Sequence, residues 1–284
     1  MTDAAAPLLE CKEVRFTYAG NERPALDGLS LRIRKGLKTV VLGHNGCGKS
    51  TFFLHANGIY RPDRGEIRWK GTPLSYSKKS LLQLRRNVGI VFQDPEQQIV
   101  ASTVAEDISY GLLNMKLPKD EVLRRMEEAL DTFSLSELAS RPVHHLSLGQ
   151  KKRLALAGVM ALKPELLLLD EPTAYLDRQH VQTLLRELDS IHREGATAIV
   201  MATHDIDIAC EWGDWIMVMH QGRLVLEGEP DDIFKQQTLM KELQLNLPIM
   251  YQVWDAIPER VKAAFGAARV PRTVEQLRSM FLHL

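Results

Sequence analysis

The sequence predicts an α/β protein built on a mostly parallel sheet with helices on both faces. Three observations predict it. Short apolar runs at 39–42, 88–92, 166–169 and 198–201 alternate with helical segments, which is how a chain of βαβ units reads. The first of these runs ends in a glycine-rich loop that opens a helix, and the third ends in two acids. A long block of helical periodicity, about 104–162, interrupts the alternation and reads as an inserted subdomain.

Each element has a local reason. Residues 8–18 and 29–33 alternate apolar and polar side chains, the pattern of half-buried strands. The run 39–42 is continuous and apolar, as a strand covered on both faces should be. The helix from Lys49 should stop near Asn57, where Gly58 and Pro62 follow. A strand at 66–69, a helix at 80–87 and a buried strand at 88–92 come next. Inside the helical block, 120–133 is the clearest helix, apolar at Val122, Leu123, Met126, Ala129, Leu130 and Phe133. Four leucines at 166–169 make the strongest buried strand, and a helix at 178–194, a strand at 198–201 and a short helix at 206–212 follow. Residues 215–219 and 224–227 read as a closing hairpin. Beyond Pro230 the strand pattern stops; Pro248, Pro258 and Pro271 bracket two short helices, near 259–266 and 274–282.

The bulk composition narrows the function classes. A chain of 284 residues suits one large domain, or one domain with a small appendage. Apolar content of 45% and charged content of 25% are those of a globular protein. Lys+Arg and Asp+Glu both number 36, which argues against a nucleic-acid partner held by a basic surface. No apolar stretch approaches the roughly 20 residues of a bilayer span, so no direct membrane insertion is expected. The first seven residues lack the pattern of a secretory leader. Cys11, Cys47 and Cys210 are too few for a disulfide framework and suit a reducing, cytoplasmic setting.

The loop Gly43, His44, Asn45, Gly46, Cys47, Gly48, Lys49, Ser50 fits G-x-x-x-x-G-K-[ST] between a strand and a helix. Its glycines let backbone N–H groups turn inward on phosphates, Lys49 adds a point charge, and the Ser50 hydroxyl suits Mg²⁺. The helix N-terminus favours the same anion. These features point to ATP. Asp170 and Glu171 emerge at the carboxyl end of the leucine strand, where ligands of open α/β sheets bind. Asp170 suits the Mg²⁺ shell, and Glu171 suits orienting or deprotonating water. Ser147 and Gln150 form a capping-box pattern for the helix that follows, and a capped helix start is also an anion seat.

With Leu146, Ser147, Leu148, Gly149 and Gln150 in place of L-S-G-G-Q, these motifs together resemble the ATPase subunits of ABC transporters. The resemblance implies a P-loop ABC ATPase core with an antiparallel β subdomain, over about 8–229, and a small C-terminal helical extension, 230–284. It also implies further site residues. Tyr18 falls where an aromatic stacks on adenine, though a strand aromatic in the core reads equally well. Thr51 extends the phosphate loop. Gln93 matches the glutamine that contacts Mg²⁺ and water, and His204 the histidine at the γ-phosphate. Asp177 matches a loop that crosses the dimer interface; it also reads as the N-cap of the next helix. Leu148 and Tyr175 depart from the usual residues. The stretches 53–58, 91–98, 106–111, 149–153 and 264–277 resemble the ATPases of energy-coupling-factor importers, most of all the cobalt/nickel type.

The resemblance implies a homodimer with two ATP sites. Each would take residues 43–51, Gln93, Asp170, Glu171 and His204 from one chain and Ser147, Gly149 and Gln150 from its partner. An integral membrane transport subunit and a substrate-binding membrane subunit would complete the assembly at the cytoplasmic face, with the docking groove near Gln93. The alternatives are a shared ATPase of vitamin importers, a soluble non-transport ATPase and a non-catalytic switch. Cys47 carries an expectation of its own: Lys49 and the helix start should favour its thiolate, making it open to alkylation.

Overall fold

The computed structural model describes residues 6–195, 197–265 and 269–282. The first strands are β1 (Leu9–Phe16), β2 (Leu26–Ile33) and β3 (Lys38–Leu42), followed by helix α1 (Lys49–Ala56). Then come β4 (Arg64–Trp69), β5 (Thr72–Pro73), α2 (Lys78–Asn87) and β6 (Val88–Val91). The helical block holds α3 (Val104–Asn114), α4 (Lys119–Thr132) and α5 (Leu148–Met160). After it come β7 (Leu166–Asp170), α6 (Arg178–Arg193), β8 (Ala198–Thr203), α7 (Ile206–Trp212), β9 (Trp215–His220) and β10 (Arg223–Gly228). The tail is helical: α8 (Pro230–Phe234), α9 (Gln237–Glu242), α10 (Ile249–Ala256), α11 (Glu259–Lys262) and α12 (Val274–Leu282).

Two sheets form. One is antiparallel, in the order β2-β1-β4-β5. The other runs β10-β9-β3-β8-β7-β6; it is parallel throughout except for the β9–β10 hairpin at its edge. All five residues of β7 are buried because both faces of the parallel sheet are covered. Side chains alternate between two cores, as the twofold strand period requires. Leu42, Leu167, Leu169, Ile199 and Met201 face the helices of the inserted block. Val41, Leu166, Leu168, Val200 and Ala202 face α1 and the antiparallel sheet.

The helices start where their caps place them. Thr103 and Glu106 form a capping box ahead of α3, and Asp177 caps α6. The predicted ends of the regular elements shift by only a few residues, with β2 starting three earlier, at Leu26. Larger differences lie in the tail. Helices α8, α9 and α10 were not expected from the sequence, because each is only five to eight residues long. They form by packing: Ile233, Phe234, Met240, Leu243 and Leu245 are buried in the same core as Leu42 and Leu169. The first five residues, where no leader was expected, and Gly266, the expected end of a tail helix, lie outside the described residues.

Candidate nucleotide site

Strand order brings the dispersed motifs together. The phosphate loop follows β3, His204 follows β8, Asp170 ends β7, and Gln93 lies two residues past β6. These four strands are parallel neighbours in the order β3-β8-β7-β6, so their carboxyl ends share one edge. The register is tight. Leu42 pairs with Thr203 and Asp170 with Ala202, and the Glu171 N–H donates to the Ala202 carbonyl at 2.9 Å.

The phosphate loop is held from within. Lys49 is buried, and its Nζ donates to the Gly43 carbonyl at 2.7 Å and the His44 carbonyl at 3.3 Å. Two glycines are obligatory. A Cβ on Gly43 would sit 2.4 Å from the Met219 carbonyl oxygen and 2.7 Å from Cys47 Sγ. Gly48 has φ 108°, and its Cβ would lie 2.6 Å from the Ala25 carbonyl oxygen. Ser50 is exposed at the mouth of the loop, as are His44, Asn45 and Gly46. Thr51 is buried, and its hydroxyl lies 3.1 Å from the Tyr18 hydroxyl. Tyr18 therefore stands beside the loop, edge-on to Phe16 and Tyr60.

Cys47 differs from the expectation. It is buried, and burial pushes its thiol up more strongly than Lys49 and the backbone N–H groups pull it down. The residue packs into the apolar core under the loop. It is a space-filling thiol and not a thiolate.

Opposite the loop, Glu171 is buried with φ 45°, a left-handed conformation that a non-glycine residue adopts only when its surroundings impose it. Its Oε1 lies 3.3 Å from Lys49 Nζ, and its Oε2 accepts from His204 Nδ1–H at 3.0 Å. His204 itself is exposed. Asp170 is also buried, and burial raises its carboxyl despite the Ser50 hydroxyl beside it. Its Oδ1 has no partner. The cluster thus offers an ammonium, a carboxylate held by a histidine, and a buried carboxylate oxygen lacking a cation. Those groups suit binding a polyphosphate and activating water next to it.

The second group stands on other elements. The Ser147 N–H donates to Gln150 Oε1 at 2.9 Å, and the Gln150 N–H donates back to Ser147 Oγ at 3.3 Å, so the predicted capping box is present. A Cβ on Gly149 would meet His180 Cδ2 at 3.4 Å. The His180 N–H donates to Asp177 Oδ1 at 2.9 Å, which places the α5 start against the capped start of α6. Leu148 and Tyr175 are exposed, Tyr175 by 81%, with φ 62°.

Sequence reasoning missed Lys152. This lysine lies on α5 among Leu154, Ala155, Leu156 and Val159 and is buried with them. Its Nζ donates to the carbonyls of Pro172 (2.8 Å) and Ala174 (2.7 Å), the loop that follows Glu171. Burial lowers its pKa to about 8, against the pull of Glu171 and Asp94. The available signal was a charge on an apolar helix stripe.

Comparison with known proteins agrees with this geometry. The ABC transporter family matches residues 26–174. An energy-coupling factor transporter ATP-binding protein of Clostridium perfringens, EcfA2, is 40% identical over 95% of this chain and 94% of its own. The structure of CbiO1 from the same species, described as part of the ABC transporter complex cbiONQ, is 39% identical. It superposes with a TM-score of 0.75 over 88% of this chain and all of that one. The ATP-binding cassette MJ0796, solved as a dimer in a post-hydrolysis state with ADP and Pi, is 28% identical with a TM-score of 0.70; the match covers 78% of this chain and 98% of that one. The fold, the matched motifs and these likenesses have one reading: the chain belongs to the ATP-hydrolysing, ATP-binding proteins of ABC transporters, of the energy-coupling-factor type.

Proposed function

We propose that two copies of this chain close on two ATP molecules and thereby drive a membrane importer of cobalt or nickel ions. One observation carries the dimer. Ser147, Gly149 and Gln150 form an anion-ready helix start on α5, an element separate from the strand edge that carries Lys49 and Glu171. A partner copy supplies that start to the γ-phosphate, and the likeness to the MJ0796 cassette, solved as a dimer, supports a dimer. Asp177 at the capped start of α6 sits beside the same face.

In this reading Gly43 to Thr51 cradle the phosphates and Tyr18 takes the adenine. Glu171 accepts the proton of the attacking water, and His204 holds Glu171 and meets the γ-phosphate. Gln93 aligns the water and reports to the membrane partner. The residues fit Mg²⁺: Asp170 Oδ1 is a buried orphan, the Ser50 hydroxyl is beside it, and Gln93 follows the adjacent strand. When bound, Mg²⁺ neutralises charge on the phosphates.

The membrane transport subunit docks on the inserted block, where Val100, Tyr110 and Leu113 are more than half exposed beside a groove lined by Ser102, Ala105 and Ser109. Among the described residues no helix is long and apolar enough to cross a membrane, so in this reading the chain attaches peripherally through that subunit. The cargo assignment rests on the likeness to the cobalt/nickel type. The division at 229/230 is one of role, since the tail shares the main core.

Glu171→Gln tests the proposal. The variant should bind ATP, form an ATP-dependent dimer by light scattering and release no phosphate. A variant that stays monomeric at saturating ATP, alone and in the assembled complex, overturns the dimer. Co-purified membrane subunits that carry a vitamin and neither metal overturn the cargo.

A further inference from the structure

The tail is fastened at two points five residues apart, one on the phosphate loop and one on α7. At one, His44 Nε2 of the phosphate loop lies 3.2 Å from the Leu243 carbonyl oxygen and 3.1 Å from that of Gln244. Carbonyls only accept, so the proton sits on Nε2. At the other, the Ile249 N–H donates to Asp207 Oδ1 at 2.7 Å. Asp207 lies in the first turn of α7, three residues beyond His204. Between the two points, Leu243 and Leu245 are buried and Leu247 packs on the same core, as do Ile206 and Ile208 of α7.

The local conformation presents the carbonyls to His44. Gln244 is left-handed, with φ 57°. Its N–H bonds back to Lys241, and the Leu245 N–H bonds back to Met240. That pair closes the end of α9 and leaves the Leu243 and Gln244 carbonyls outside the helix ladder. On the loop side, the His44 carbonyl accepts from Lys49. The tail is thus bonded to the His44 ring, and the His44 backbone is bonded to the phosphate-binding lysine.

We propose that residues 243–249 are a brace that positions the phosphate loop against α7, the helix that follows His204, with His44 and Asp207 as positioning residues at its two fastenings. The C-terminal extension is then a working part of the ATP site. The proposal uses the ATP-binding reading of the loop and is independent of the dimer and of the cargo. A loop held in its binding shape needs no ordering when nucleotide arrives, and an unbraced one does. The loss therefore falls on Kd and KM, because the nucleotide itself orders the loop at saturation.

His44→Ala and Asp207→Ala, both at exposed positions of the full chain, test this with Mg²⁺ and a fluorescent non-hydrolysable ATP analogue. Each should raise Kd about fivefold, the worth of one net hydrogen bond. The double variant should bind no more weakly than the weaker single one, since either change frees the same segment. His44→Gln, which keeps a donor, should recover part of the loss. In wild type the analogue should slow hydrogen exchange of the Ile249 amide, the reciprocal of the same coupling. Single variants with Kd within twofold of wild type, fully additive losses, or exchange at Ile249 indifferent to nucleotide would each overturn the brace.

Discussion

Lys152→Met removes a buried ammonium whose two bonds hold the loop after Glu171. Its pKa falls to about 8 from an ordinary 10.5. At about 1.4 kcal/mol per unit, keeping the proton in the folded state costs about 3 kcal/mol. Two bonds from a charged donor return about 1.5–3 kcal/mol each. The terms leave about 0–3 kcal/mol in favour of wild type at pH 7, and methionine occupies similar volume, so global stability should fall by no more than about 3 kcal/mol. Turnover should not be spared. Pro172 and Ala174 lose their tether to α5, and Glu171 is set by that loop. A carboxylate displaced by about 1 Å costs roughly ten- to a hundredfold in kcat. The pH dependence has a definite sign. The lysine pKa is lower folded than unfolded, so the penalty is complete below pH 8 and fades as pH rises to 10.5. Relative to Lys152→Met, wild type should gain about 3 kcal/mol across that window. Urea unfolding from pH 7 to 10.5 and phosphate release at pH 7 measure the two effects. Parallel stability curves, or a kcat within twofold of wild type, would refute the tether.

Two further outcomes follow from the site. Iodoacetamide should modify Cys47 far more slowly than an exposed thiol at pH 7.5, because burial keeps it protonated; peptide mass spectrometry reads the rate, and fast labelling at Cys47 would contradict the packing described. Ser147→Ala opens the α5 capping box and should cost about 1 kcal/mol, seen as a fall of about 2 °C in Tm. An unchanged Tm would mean that water replaces the cap.

The chemistry-bearing residues were legible because each stands at a punctuation mark of the chain. A buried run ends, and a glycine or an acid pair follows; Gly43, Asp170 and Glu171 were read that way, whereas His204 was named only through the family resemblance. Capping boxes were equally legible, since Ser147 and Gln150 interact across one turn. Cys47 misled for a physical reason. Proximity to Lys49 in sequence measures attraction, but the thiol's ionisation is governed by burial, which comes from Gly43 above it and the core beneath. The short tail helices escaped because their stability comes from the core they join.

What the sequence by itself determined is the alternation of strands and helices, the caps, and the types of group that gather at the candidate phosphate site, all matters of neighbours within a few residues. The strand order β3-β8-β7-β6 was decided only in the tertiary structure, and it converts four separate loops into one edge. The same holds for Lys152 under the Glu171 loop and for the reach of Leu243 and Gln244 to His44, about two hundred residues away. Such contacts depend on which apolar faces pack together, a global property of the chain that no local pattern encodes.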